Sequence, residues 1–181
     1  MIFRASLITL FSIILFGCDI KEKEDKIGSI DERVTNFSIE GYIMKKQGDR
    51  ILVVRSQPKD FSSTSGKEEF YEAIWVSDIT NEVELGQKVR VWIDGPIMES
   101  YPAQAKADKV IPVIADNQIG ADLSEEEVIR KALSSERENV KDFFLPVIKS
   151  VTFDKESDSW KVEIKDEEGT GVTRIVIQDK R

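Results

Sequence analysis

From Phe37 onward, apolar and polar residues alternate with a period of two, and this alternation is what most limits the fold. Phe37, Ile39, Gly41 and Ile43 share one parity, and Ile51 to Val54 follow after the polar turn KKQGDR. A period of two sets successive side chains on opposite faces of a strand, so this part of the chain builds sheet, with a hairpin at the turn. A third strand, YEAIWV (71–76), follows the polar loop QPKDFSSTSGKEEF, and a fourth, VRVWI (89–93), follows ELGQK. In the fifth, Ala103, Ala105 and Ala107 alternate with Gln104, Lys106 and Asp108 before Val110.

Small residues on one face let a barrel wall close tightly, because the interior of a small barrel is filled by mixed small and large side chains. The chain is therefore expected to be mainly β, with an OB-like (oligonucleotide/oligosaccharide-binding type) five-stranded barrel over residues 37–113. A plain antiparallel sheet is the alternative.

The remainder, residues 114–181, is expected to form an α+β unit of one helix and a three-stranded antiparallel meander. Ser124 and Glu127 fit a capping box, and Leu123 with Val128 fits the hydrophobic staple around it. Val128, Ile129, Ala132 and Leu133 make the buried stripe, and a second short helix is expected from Glu136 towards Phe144, stopped by Pro146. The strands are VIKSVTFD (147–154), SWKVEIK (159–165) and VTRIVIQ (172–178), and the second places Trp160, Val162 and Ile164 inward. About 60 residues make a marginal core by themselves, so this unit should pack on the barrel or on a partner. Its helix-then-meander pattern loosely resembles a PepSY-type module.

The stretch DGPIMESYP, residues 94–102, joins strands four and five, a connection that helps build the binding face in barrels of this type. Met98, Glu99, Ser100 and Tyr101 are its candidate ligand-binding residues. The competing reading has Tyr101 and Pro102 plug one end of the barrel. The Ser/Thr-rich stretch from Phe61 to Gly66 reads as a mobile loop, with a lid as the other possibility. Asp154, Glu156 and Asp158 alternate like the start of a calcium loop. Ser159 and Trp160 follow where that loop needs its glycine, and Lys165 stands where it needs a bidentate Glu, so a hairpin turn is expected instead.

Gly86, Val89, Val91, Trp92, Gly95, Pro96, Glu99, Ser100, Tyr101, Pro102, Gln104 and Ala105, with EGYIMKK and ILVV upstream, resemble the YobA-like small lipoproteins of Bacillus-type Gram-positive bacteria. That resemblance spans about residues 37–113 and implies a domain of unknown function on a lipid-anchored, extracytoplasmic protein.

The N-terminal residues point the same way. Arg4 precedes a twelve-residue apolar run, Ala5 to Phe16. Roughly 20 residues are needed to span a bilayer, whereas about 7–15 suit the apolar region of an export signal. Leu15-Phe16-Gly17-Cys18 then resembles a lipobox and contains the single cysteine of the chain. Residues 1–17 are expected to be a lipoprotein signal peptide and Cys18 the lipidated residue, its thiolate alkylated by a diacylglyceryl group. Two acyl chains suffice for stable anchoring. Residues 19–36, DIKEKEDKIGSIDERVTN, read as a charged tether between membrane and barrel.

Composition narrows the function. The chain carries 26 Lys and Arg against 34 Asp and Glu, and removing Arg4 with the signal takes its charge from −8 to −9. Such a surface opposes the counterion release on which nucleic-acid affinity depends, so nucleic acid is not expected as a partner. With no histidine and no second cysteine, disulfides, Cys/His zinc sites, Cys nucleophiles and Ser-His-Asp triads are excluded. The expected function is a non-catalytic binding module of the cell envelope, without cofactor, facing a protein or glycan partner. The alternative is a carboxylate-dependent enzyme acting on an envelope polymer, with Glu99 as its first candidate.

Overall fold

The computed structural model describes residues 38–114, 117–135 and 139–181. The expected signal segment, Cys18 and the expected tether lie outside the described residues, as do 136–138 of the expected second helix.

Five strands close into a barrel: β1 (Ile39–Gln47), β2 (Arg50–Arg55), β3 (Ala73–Ser77), β4 (Lys88–Met98) and β5 (Ala103–Pro112). Around the wall their order is β1-β2-β3-β5-β4, with β3 and β5 parallel and each other pair antiparallel. Ile43, Ile51, Val53, Val76, Val89 and Val91 fill the interior, and Ala103, Ala105 and Ala107 pack against them from β5. The alternation read from the sequence is thus the inside-outside alternation of the wall.

The outside of the wall is also apolar. Met44, Leu52, Val54, Tyr71 and Ala73 point away from the barrel interior and are nonetheless buried. They are covered by helix α1 (Glu125–Leu133) and by an antiparallel sheet of β6 (Pro146–Asp154), β7 (Ser159–Asp166) and β8 (Val172–Gln178). One apolar cluster runs from Leu52 and Val54 through Val128, Ile129 and Leu133 to Val147, Trp160 and Ile164. Met44 joins it because a bulge leaves it unpaired between Ile43, opposite Val53, and Lys45, opposite Leu52. The expectation that the second unit packs on the barrel is therefore met by a shared core.

Helix α1 is capped as its sequence requires. The Ser124 hydroxyl accepts the Glu127 N–H at 3.2 Å, and Glu127 Oε2 accepts the Ser124 N–H at 2.8 Å. Its approach to the barrel depends on Gly86, where φ is +83° and a Cβ would stand 2.8 Å from the Glu126 carbonyl oxygen. Any side chain there would push the helix off the loop. Beyond α1 the expected second helix is reduced, among the described residues, to one 3-10 turn, Val140–Asp142. Asn139 is left-handed before it, at φ 51°, and Phe143 is extended after it, where the chain must turn into β6.

Asp179 fastens the chain's C-terminal end onto this layer. Its carboxylate, 2 % exposed as a residue, accepts the N–H groups of Asp122 at 2.6 Å and Leu123 at 2.8 Å and the Trp160 indole N–H at 3.0 Å. Burial pushes its pKa up, but these donors outweigh it and hold the carboxyl below the usual Asp value. A folded value below the unfolded one gives stability that is complete above pH ~3.9 and lost as pH falls through the folded value. Asp179→Asn is accordingly expected to lower the melting temperature at pH 7, with the gap to the parent protein closing as melts are repeated below pH ~3.9.

Candidate functional site

The barrel exterior that the second layer leaves open lies around the β4–β5 hairpin. The hairpin is bent by two register shifts. Asp94 pairs with Lys106 and Met98 with Gln104, so β4 carries two residues more than β5 between these pairs. A second shift lies between Trp92 and Ile93. Gly95, at φ +73°, permits the first bend. Such bulges re-aim side chains at a barrel rim, and here the hairpin end borders two grooves.

The outer groove, about 360 Å³, lies on the outside of the wall against β2, β3 and β5. Trp75, Ser77, Gln104 and Lys106 line its floor, Arg50 one end, and Asp94, Pro96 and Met98 the overhanging hairpin. The Arg50 guanidinium sits 5.3 Å from the centroid of the Trp75 ring, and its Nη2 donates to Gln47 Oε1 at 3.3 Å. Lys106 pairs with Asp78 at 3.0 Å.

The second groove, about 290 Å³, opens at the barrel mouth. Ile39, Ile74, Ile93 and Ala103 form its base, and Ile97, Phe70 and Tyr101 its rim. Glu72 is its charged group, holding Arg55 at 2.5 Å and also Lys59. Burial raises the Glu72 pKa, but Lys59 and Arg55 outweigh it, so the carboxyl lies below its usual range and is ionised at neutral pH.

The four residues singled out in DGPIMESYP are divided by this geometry. Met98, 64 % exposed, lines the outer groove; Ser100 and Tyr101 line the mouth; Glu99 is exposed and lines neither of these two grooves. The Ser100 hydroxyl donates to the Pro102 carbonyl at 2.8 Å and so shapes its own turn. Tyr101 stands at the barrel mouth and is not a free side chain. The residue is 39 % exposed, its hydroxyl donates to the Tyr71 carbonyl at 2.9 Å, and its ring packs against Phe70 at a tilt with centroids 5.4 Å apart. Burial, then the nearby charges of Glu167 and Glu168, pushes the phenol pKa up, which keeps it a donor.

Phe70 in turn meets Phe61 edge-on at 5.6 Å, and the stretch around Phe61 to Gly66 carries local hydrogen-bonded structure. Lys59 and Phe70 bridge its two arms, and a 3-10 turn at Ser62–Thr64 closes it. At the calcium-like stretch the chain makes a turn. Asp154 Oδ1 accepts the Glu156 N–H at 3.1 Å and the Ser157 N–H at 3.3 Å, and Oδ2 holds Lys161 at 2.7 Å. Lys161 first, then the Ser157 N–H, holds the Asp154 carboxyl down at about 2. Among the described residues no group of three acidic, His or Cys side chains is placed to hold a metal ion.

Sequence reasoning did not single out Arg50 or Trp75, and it named Gln104 and Lys106 as the polar parity of the fifth strand without giving either a role at the site. The signal was present for Trp75: Ile74 and Val76 are interior residues of β3, so Trp75 must face outward.

With this geometry in place, the chain can be compared with known proteins. Residues 40–113 match a family model described as a protein of unknown function, DUF3221. The match covers the barrel almost end to end and stops before α1. No curated protein and no solved structure matches the chain.

Tyr101 gives the site a direct check. Truncating it to Ala removes an aromatic pair worth about 0.5–1.5 kcal/mol and a hydrogen bond of similar worth, an expected loss of about 1–3 kcal/mol. That is less than the ~3–5 kcal/mol of a fully buried aromatic. Tyr101→Phe removes the hydrogen bond alone and should cost about 1 kcal/mol in chemical denaturation.

Proposed function

We propose that this chain is a lipid-anchored binding module of the extracytoplasmic face of a cell membrane, with the β4–β5 hairpin as its ligand-facing edge. In this reading, residues 1–17 direct export, Cys18 takes the diacylglyceryl group, and residues 19–36 space the barrel from the bilayer. The finer family reading, a YobA-like lipoprotein with a PepSY-like second unit, fits the same picture. The single observation that carries the binding role is the pair of grooves flanking one bulged hairpin. Each sets apolar side chains, Trp75, Pro96 and Met98 in one and Ile39, Ile74 and Ile93 in the other, beside polar groups that could orient a ligand.

Three further features support it. The barrel type commonly binds ligands at the connection between its fourth and fifth strands. Fold-level analogy of this kind raises the expectation of binding without identifying the ligand. Among the described residues, no helix is long and apolar enough to cross a membrane, and in this reading attachment comes from the acylated Cys18. Glu99, the residue on which an enzymatic reading would rest, is exposed and lines neither groove, so binding is the reading we adopt. The partner class is an envelope protein, peptide or glycan.

Two measurements test the proposal. With Cys18→Ser the precursor should incorporate no labelled fatty acid and leave the membrane fraction, because a hydroxyl is a far weaker nucleophile than a thiolate. Fatty-acid incorporation by that variant would overturn the anchor. The unmodified full chain in detergent should retain solubilised envelope material that a variant lacking the hairpin tip, residues 95–100, releases. Equal retention by both would overturn the site.

A further inference from the structure

Among the barrel's arginines, two are held by carboxylates: Arg55 by Glu72 and Arg90 by Glu40. Arg50 is not. Among the described residues its polar contacts are the Gln47 side-chain carbonyl and the face of Trp75, neither of which carries a negative charge. In a chain of net charge −8, an arginine that no carboxylate of the described residues pairs with is a specific arrangement, and the groove's own carboxylate, Asp94, stands on the overhanging hairpin opposite Lys106 in the β4–β5 register. Guanidinium groups are suited to a carboxylate's two oxygens, and stacking on an aromatic ring holds the fork in place without consuming its charge.

The rest of the outer groove restricts what brings that carboxylate. Trp75 belongs both to the groove and to the edge of the core shared with the second layer. The β2–β3 surface beyond it, at Leu52, Val54 and Ala73, is sealed under that layer. The groove is therefore blocked on this side, which suits a chain end and excludes a polymer running across the β2–β3 face. Its apolar side chains, Trp75, Pro96 and Met98, suit alkyl groups better than a ring of hydroxyls. At about 360 Å³ it lies at the small end of the ~300–1,000 Å³ range for ligand sites.

We infer that the outer groove receives the carboxylate-terminated end of a short peptide, its terminal carboxylate paired with Arg50 and its last side chain against Trp75, Pro96 and Met98. This rests on the binding-module reading above and assigns its ligand class and its anchoring residue.

The probes are N-acetyl-alanyl-alanine, the same dipeptide as its C-terminal amide, and glucuronate. Each is titrated into the full chain in detergent while the Trp75 indole N–H resonance is followed, assigned through Trp75→Phe. The acid should shift the resonance saturably, and the amide should bind at least about tenfold more weakly, the effect of losing one charge-assisted pair. Arg50→Gln, with an unchanged melting temperature, should lose the same factor for the acid and nothing for the amide. Arg50→Lys should recover part of it. Equal binding of acid and amide, or no shift with either, overturns the inference. A shift with glucuronate alone overturns the peptide assignment. These outcomes are separable from failure of the module itself: retention of envelope material with no response to the dipeptide refutes only the peptide-end ligand, whereas loss of retention altogether refutes the binding role.

Discussion

The outside of the β1–β3 wall has to be covered, and the rest of the molecule is arranged around that requirement. Leu52, Val54 and Ala73 are on the outward parity of their strands and are at most 5 % exposed. A barrel alone would leave them in water, with each fully buried aliphatic side chain worth about 1.5–3 kcal/mol relative to exposure. α1 and the β6–β7–β8 sheet supply the cover and gain from it equally, because a three-stranded sheet with one helix has little core by itself. The two halves thus behave as layers over one shared wall, and the barrel region matched by the family model contains only one of the surfaces that make this core.

Covering one side of the barrel also decides which part of its surface stays open. What stays accessible is the wall near β5 and the bent end of the β4–β5 hairpin. Here the bulges place Met98 over the outer groove and Ile97 over the mouth, one on each flank. The hairpin end is fixed from below by Tyr101, which is bonded to the Tyr71 carbonyl and packed against Phe70. Tyr71 is itself part of the shared core, and Lys149 of β6 donates to its hydroxyl at 3.1 Å. A continuous line of contacts therefore joins the candidate site to the second layer. Loosening that layer would be felt at the hairpin.

Much of the fold was legible because it follows from local periodicity. The alternation from Ile39 to Val54, the alanines of β5, the Ser124–Glu127 capping box and the Trp160–Ile164 alternation each describe a single element and depend on few distant contacts. What was not legible is pairwise. No local pattern states that β3 lies beside β5 and not β4, or that Phe143 leaves the 3-10 turn in extended conformation. The candidate site divides in the same way. The hairpin 94–102 could be located from its turn residues, but the fate of each side chain depends on bulges whose register only the closed barrel fixes. Arg50 and Trp75 are separated by 25 positions and meet through β2–β3 pairing, which places Trp75 opposite Leu52, two residues from Arg50.

Electrostatics reinforces the division between covered and open surface. Across the seam, Lys149 and Lys165 share Glu69, Lys67 reaches the buried Glu167 at 3.1 Å, and Lys45 donates to the Phe143 carbonyl. These cations are committed to holding the layers together. Exposed pairs contribute little each, but pairs at a partly desolvated seam also fix its register, because a slip would strand Glu167, whose side chain is fully buried. On the open face the pattern changes: Lys106 pairs with Asp78 at the surface, and Arg50 is turned onto Trp75. Cations at the seam are thus satisfied by carboxylates and a carbonyl of the other layer, whereas on the open face the Arg50 guanidinium lies against an aromatic ring, which attracts a cation through its quadrupole without neutralising it.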